Sequence, residues 1–330
     1  MARKLSVTVL WQFEMRREDA IELARIADQN GVHSFWVPEG WGRDAFSLLV
    51  SVAEKTRQIQ LATGIVNVYS RTPALLAQQF ATLDEWSDGR AIAGLGASSP
   101  NVIEQFHGIR FQPSRERIRE TVTILNLLLR GEKLVHRGRW FAMDRGFALR
   151  MNLVRNHIPV FLATLHPKSV KMTAEIADGW MPVLIPLRAM KAQIASFRGW
   201  AAAAGRDPAK LMVKAGNVTV SDAPNARDAA RALIAYYIAR MGSFYYDQLV
   251  RLGLGEDARA VKQAFEEGGR AGGMAAVSEA LLDDLGFTGP AEACRDRLVE
   301  LEEQGVDLHS VTLDTRDPRQ FGRTIETLLR

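Results

Sequence analysis

The chain has 330 residues, 47% of them apolar, and its 42 Lys and Arg against 38 Asp and Glu leave a formal charge of +4. That length and apolar content allow one α/β barrel or two smaller domains, and the lack of any biased tract excludes a fibrous or disordered chain. The basic residues are dispersed, which argues against a nucleic-acid footprint and suits an anionic small ligand.

The N-terminal MARKLSVTVLWQFEMRRED has a charged start and a short apolar patch. It has no small-residue cleavage site and no apolar span near ~18 residues, so no membrane segment is expected. The single cysteine, Cys294, cannot form an intrachain disulfide, which fits a reducing, cytoplasmic setting. The first strand is expected in LSVTVL (5–10), followed by the helical EDAIELARIADQNG, whose Ile21, Ala24, Ile26 and Ala27 share a face. Then come HSFWVP (33–38), the helix AFSLLVSVAEKT, IQLATGIV (59–66), the helix PALLAQQFATLDEWSDG and RAIAGLG (90–96). A helix over 114–130 precedes strands IPVFLA (158–163), GWMPV (179–183) and LMVKAGNVTV (211–220). HSVTLDT (309–315) and a terminal helix close the chain.

Eight strands, most followed at once by a helix, favour a single (β/α)8 TIM barrel over an open doubly wound sheet. Segment 222–288 holds several helical patterns in a row and reads as a helical insertion in the seventh βα unit, able to cover the barrel mouth or form a dimer face.

In such a barrel the chemistry lies in the loops after the strands. They are EGWGRDA (39–45), GIVNVYSRTP (64–73), GLGASSPNV (94–102), ATLHPKSV (163–170) and the stretch around PVLIP (182–186). Gly64 interrupts a short apolar strand, which asks for a bulge or a close backbone approach. GLGASS begins like a dinucleotide fingerprint but lacks the third glycine and the following acidic residue; its small residues permit flat contact with a planar ligand. Pro167 marks a helix start, where free N–H groups with Lys168 and Ser169 can hold a phosphate, or where Lys168 is simply exposed on a capped helix. The six His residues are scattered without metal-ligand spacing, and no GxSxG elbow occurs, so neither a metal centre nor a serine hydrolase is expected.

Taken together, EGWGRDA, LATGIVNVYSRTPALLAQQFATLDEWSDGRAIAGLGASSPNVIEQFHG, RERIRETVTIL, IPVFLATLHPKSVKMTAEIADGW and GFTGPAEACRDRLVELEEQGVD resemble, in order and spacing, the bacterial luciferase-like superfamily. More narrowly they resemble its branch that uses coenzyme F420, the 8-hydroxy-5-deazaflavin hydride carrier. FMN-binding members tend to carry a Gly/Ser-rich loop with an Arg after the fifth strand, and ATLHPKSV lacks it. The resemblance covers nearly the whole chain. It implies an oxidoreductase that moves a hydride between reduced F420 and a small organic substrate, and a homodimer.

The resemblance further implies that the third strand ends in a bulge with a non-prolyl cis peptide, here Gly64–Ile65, against one face of the ring, where Gly64 suits a place with no room for a Cβ. It puts Glu39 and Trp41 near ring and substrate, and Gly64, Ile65, Val66 and Asn67 under the ring. Gly96, Ala97, Ser98 and Ser99 would run along the ring edge. Ala163, Thr164, Leu165 and His166, with Lys168, would hold the phosphate. In ADGW (177–180), Asp178 and Gly179 would shape a turn. The acid–His pair that some members carry after strand two reads Glu39-Gly40 here, and a Glu that some carry after strand four is Ser99. The proton-transferring group is therefore open, with Glu39 the first candidate in an expected apolar mouth and His107 and His166 behind it. Tyr236, Tyr237, Tyr245 and Tyr246 line a pocket or pack helices. An FMN-dependent luciferase-like monooxygenase and a non-catalytic flavin-binding barrel are the alternatives.

Overall fold

The computed structural model describes residues 3–9, 15–112 and 114–330. The chain begins β1 (Leu5–Thr8), α1 (Arg17–Gln29), β2 (Ser34–Val37), α2 (Ala45–Ala53), β3 (Gln60–Thr63), β4 (Val66–Asn67), α3 (Pro73–Trp86) and β5 (Ala91–Gly96). A π-helical turn at Val102–Phe106 leads to α4 (Ser114–Leu129), the hairpin β6 (Leu134–Arg137) and β7 (Ala142–Phe147), β8 (Val160–Ala163), α5 (Pro167–Ile176), β9 (Gly179–Trp180), α6 (Leu187–Ala203) and β10 (Met212–Val220). Next come α7 (Ala226–Arg240), α8 (Phe244–Arg251), α9 (Gly255–Ala276), α10 (Glu279–Leu285) and β11 (Phe287–Gly289). The chain ends α11 (Ala291–Glu303), β12 (Leu308–Leu313) and α12 (Pro318–Leu329).

Parallel pairing runs β12–β1–β2–β3–β5–β8–β9–β10 and returns from β10 to β12, so the sheet closes into the expected (β/α)8 barrel. Each strand is a short apolar run whose outer face packs under the helices, while Trp36, Ala62, Ile92, Phe161, Met181 and Leu308 fill the interior. Burying the larger of these, Ile92, Phe161, Met181 and Leu308, stabilises the fold by about 1.5–3 kcal/mol each. The expected first strand extends to Leu10, which lies outside the described residues. No helix of the described residues is long and apolar enough to cross a membrane.

The third strand departs from its expected continuous run over 59–66. It stops at Thr63, passes the cis bond Gly64–Ile65, and resumes as β4 against β5, with Val66 opposite Leu95 and Asn67 opposite Gly96. Where β3 swings away, the Thr63 hydroxyl donates to Gly94 O at 2.7 Å and accepts from Gly94 N–H at 3.1 Å. The position without room for a Cβ is Gly94, where one would lie 1.8 Å from Thr63 O; at Gly64 it would meet Trp36 Cβ at an ordinary 3.4 Å.

Two features had no signal in the apolar pattern. The β6–β7 hairpin is largely exposed, and its turn hangs on Glu120 of α4, which accepts N–H groups from Arg139 (2.7 Å), Trp140 (3.0 Å) and Phe141 (3.0 Å). β11 adds a short edge to β10. Residues 226–285 form the helices expected in 222–288, with a core of their own around Ile234, Ile238, Leu249, Val261 and Leu282. Within it α9 folds back on itself at Gly269, whose φ of 60° favours glycine.

Candidate active site at the barrel mouth

Glu39 stands just beyond β2, and its backbone N–H donates to Ile65 O at 3.3 Å, which ties the second and third strand ends together. Its side chain is mostly buried and meets a mostly buried guanidinium: Arg71 binds both carboxylate oxygens, with Nη2 2.9 Å from Oε2. Ala45 N–H, at the start of α2, donates to the same Oε2 at 3.0 Å. The mouth around Glu39 is thus not the apolar setting expected of it, since a cation and a helix N-terminus face the carboxylate. Within SRTP, Arg71 carries no local signal of this role, because its partner lies 32 positions earlier. Trp41 is 54% exposed on the outer part of this loop.

Asn67 is buried, and its Oδ1 accepts from the N–H groups of Tyr69 (2.9 Å) and Ser70 (2.8 Å), closing the turn after β4. Its Nδ2 lies 3.5 Å from His107 Nε2, so this histidine does belong to the strand-end cluster. Gly96, Ile65 and Ala163 converge: a Cβ placed on Gly96 would stand 3.1 Å from Ile65 Cδ1 and 3.4 Å from Ala163 Cβ. Ser98 has a φ of 61°, and Ser99 is buried with its Oγ accepting Val102 N–H at 3.3 Å. Three strand ends therefore meet around small side chains, with Val66 and Ala97 beside them.

At the fifth barrel strand, α5 begins at Pro167 as expected, with His166 as its N-cap. The first-turn N–H groups are not free: Lys168 N–H donates to His166 Nδ1 at 3.2 Å and Ser169 N–H to His166 O at 2.8 Å. Burial lowers the His166 pKa, and the cations Arg251, Lys168 and Arg115 add to the shift. These three come from α8, α5 and α4, so a positive rim surrounds this helix start. Thr164 turns its hydroxyl inward to Thr173 (2.8 Å) and its carbonyl to Trp180 Nε1 (2.9 Å), while Leu165 is half-buried. Asp178 lies at the opposite end of the barrel, accepting from Val160 N–H (2.8 Å) and contacting His157 (3.0 Å).

The helices of 226–285 roof this mouth. Asn101 donates to Arg240 O at 2.9 Å, and Gln248 donates to Val183 O and Leu184 O at 2.9 and 2.8 Å. Tyr237 and Tyr245 pack edge to face at 4.8 Å inside the roof, and Tyr246 carries Lys262 over its ring. A cavity of about 420 Å³ opens between Asn101 and this roof, lined also by Arg240, Tyr246, Lys262 and Glu266.

A sequence profile described as luciferase-like monooxygenase matches residues 5–308. The chain is 28% identical over 290 residues to the 5,10-methylenetetrahydromethanopterin reductase of Archaeoglobus fulgidus, covering 86% of this chain and 85% of that protein. Among solved structures it is similar to the coenzyme F420-dependent tetrahydromethanopterin reductase of Methanopyrus kandleri, with a TM-score of 0.84 and 20% identity over 100% of this chain and 98% of that one. It is also similar to an F420-dependent secondary alcohol dehydrogenase in complex with an F420–acetone adduct, with a TM-score of 0.78 and 20% identity, over 100% of this chain and 98% of that one. The structural likenesses speak for the fold alone, whereas the profile spans nearly the whole chain: the protein is an enzyme of the luciferase-like monooxygenase family.

Proposed function

We propose that the protein is a coenzyme F420-dependent oxidoreductase acting on a small organic substrate. The observation that carries this reading is the pairing of a small-residue floor, where Ile65, Gly96 and Ala163 converge, with the cationic rim of Arg115, Lys168 and Arg251 at the start of α5. A planar ring needs the first, and an anionic phosphate is drawn to the second. The F420 dependence of the two solved structures described above supports the same choice.

When bound, the deazaflavin supplies the hydride chemistry. The chain supplies a flat seat at Gly64, Ile65, Val66 and Asn67, an edge at Gly96 to Ser99, and positive charge beside Ala163 to Lys168. The phosphate has to displace the His166 ring from Lys168 N–H, which a neutral imidazole allows at small cost. Glu39 and Arg71 hold the loop after β4 against α2, and the roof bounds the space for the acceptor.

The test is a fluorescence titration of the purified protein with F420 beside the same titration with FMN. Tight F420 binding with FMN ignored is the expected result. FMN binding with F420 ignored would move the protein to the oxygen-using side of its family.

A further inference from the structure

Inside the barrel, below the mouth, the side chain of Lys214 on β10 is buried. Its Nζ donates to Ser310 Oγ at 3.0 Å and stands 4.7 Å from the centroid of the Trp36 ring. Among the described residues the groups that face it are neutral: Ser310 and Lys214's register partner Leu308 from β12, and Trp36 from β2. Among the described residues no carboxylate pairs with it. Trp36 in turn stands directly against Gly64, and its Cζ3 lies 3.2 Å from where a Gly94 Cβ would be. One aromatic side chain thus separates an amine inside the barrel from the backbone of the proposed ring seat.

A lysine in this position is a poor structural choice. Methionine or leucine would fill the same volume without desolvating a charge. The amine is held by one hydroxyl and one ring face, the arrangement of a cation kept for its charge. Above it, Ser310 and Thr312 share a face of β12 with Thr8 of β1 opposite, all half-buried, so the barrel axis between amine and mouth is lined with hydroxyls.

We propose that Lys214 is a positioning residue whose ammonium, acting through Trp36, favours negative charge on a planar ligand seated over Gly64 and Ile65. The inference rests on the F420 reading for the ligand, and on the chain alone for the amine. Burial pushes the amine down to about 7 in the ligand-free protein, so it changes charge in the working pH range. Linkage then fixes the sign. A ligand that brings negative charge raises the midpoint of the amine, and its affinity rises as pH falls through that raised midpoint, levelling off below the ligand-free one.

The experiment follows the 13Cε resonances of the lysines, nine in the chain, against pH with and without saturating F420. One resonance, absent in Lys214→Met, is expected to titrate near 7. It should move upward by about one pH unit with F420 bound, which corresponds to about tenfold tighter binding at low than at high pH. If Lys214→Met does not fold, Ser310→Ala identifies the resonance by lowering its midpoint, since it removes the hydroxyl that stabilises the charged form. A Lys214 that stays uncharged across the working pH range with F420 bound overturns the inference, since no ammonium is then there to act. So does a midpoint that F420, bound as shown by fluorescence, leaves unmoved, and this outcome spares the F420 reading. An amine that titrates near 7 in a protein unable to bind F420 overturns both.

Discussion

Glu39 offers about four lone-pair sites, and the protein fills three of them, two from Arg71 and one from Ala45 N–H. A carboxylate so occupied anchors its loop. Removing the cation by Arg71→Leu would leave the carboxylate largely buried without its partner. We expect a loss of about 2 kcal/mol in stability, read by chemical denaturation; an unchanged midpoint would mean that water replaces the guanidinium. The two strand glycines give a sharper contrast. Gly94→Ala puts a methyl into Thr63 O and should cost about 3 kcal/mol or more, beyond the usual range for overpacking. Gly64→Ala meets only Trp36 at contact distance and should stay within about 1 kcal/mol. If Gly64→Ala also retains full F420 affinity, the ring does not sit on that backbone.

The start of α5 separates fold from ligand at the level of an element. Lys168 is exposed, and replacing it with Glu puts a carboxylate in the first turn of a helix, where the macrodipole tolerates or favours it. Thermal stability should hold while the affinity for F420 falls roughly tenfold, since one positive charge near the phosphate becomes negative. Affinity unchanged by Lys168→Glu would put the phosphate elsewhere. The same element shows what a sequence discloses. Pro167 announced the helix, because its fixed φ and missing N–H suit the first turn, but nothing local said that the His166 ring would take the N–H groups a phosphate needs. The eight strands were legible as apolar runs between turn residues. The hairpin at 134–147 was not, because its anchor is a carboxylate on another helix.

Over the whole molecule, two histidines, His309 buried and His33 half-buried, tie stability to acidity. Burial lowers His33 and His309 to about 4 each, and the Nδ1 of each lacks a partner among the described residues. The unfolded chain takes up these protons near pH 6.5 and the folded chain only near 4. Stability should therefore decline as pH falls through that interval and flatten below it. Unfolding midpoints measured from pH 7 to 4 check this, and His309→Gln should shallow the decline; a flat profile would mean that both rings ionise in place. The barrel and its helical insertion were readable from the order of segments, whereas the placement of that insertion over the mouth and the pairing of Glu39 with Arg71 needed three dimensions. The roof has one more consequence. Its polar ties to the strand-end loops run from Asn101 and Gln248 to main-chain carbonyls of residues 240, 183 and 184. A carbonyl is present whatever residue carries it, so the exposed side chain at 240, which lines the cavity, is free to drift while the lid stays moored, whereas Val183 and Leu184 are held by packing against the roof's core. Descendants of this chain could change the substrates they accept there without first rebuilding the cover.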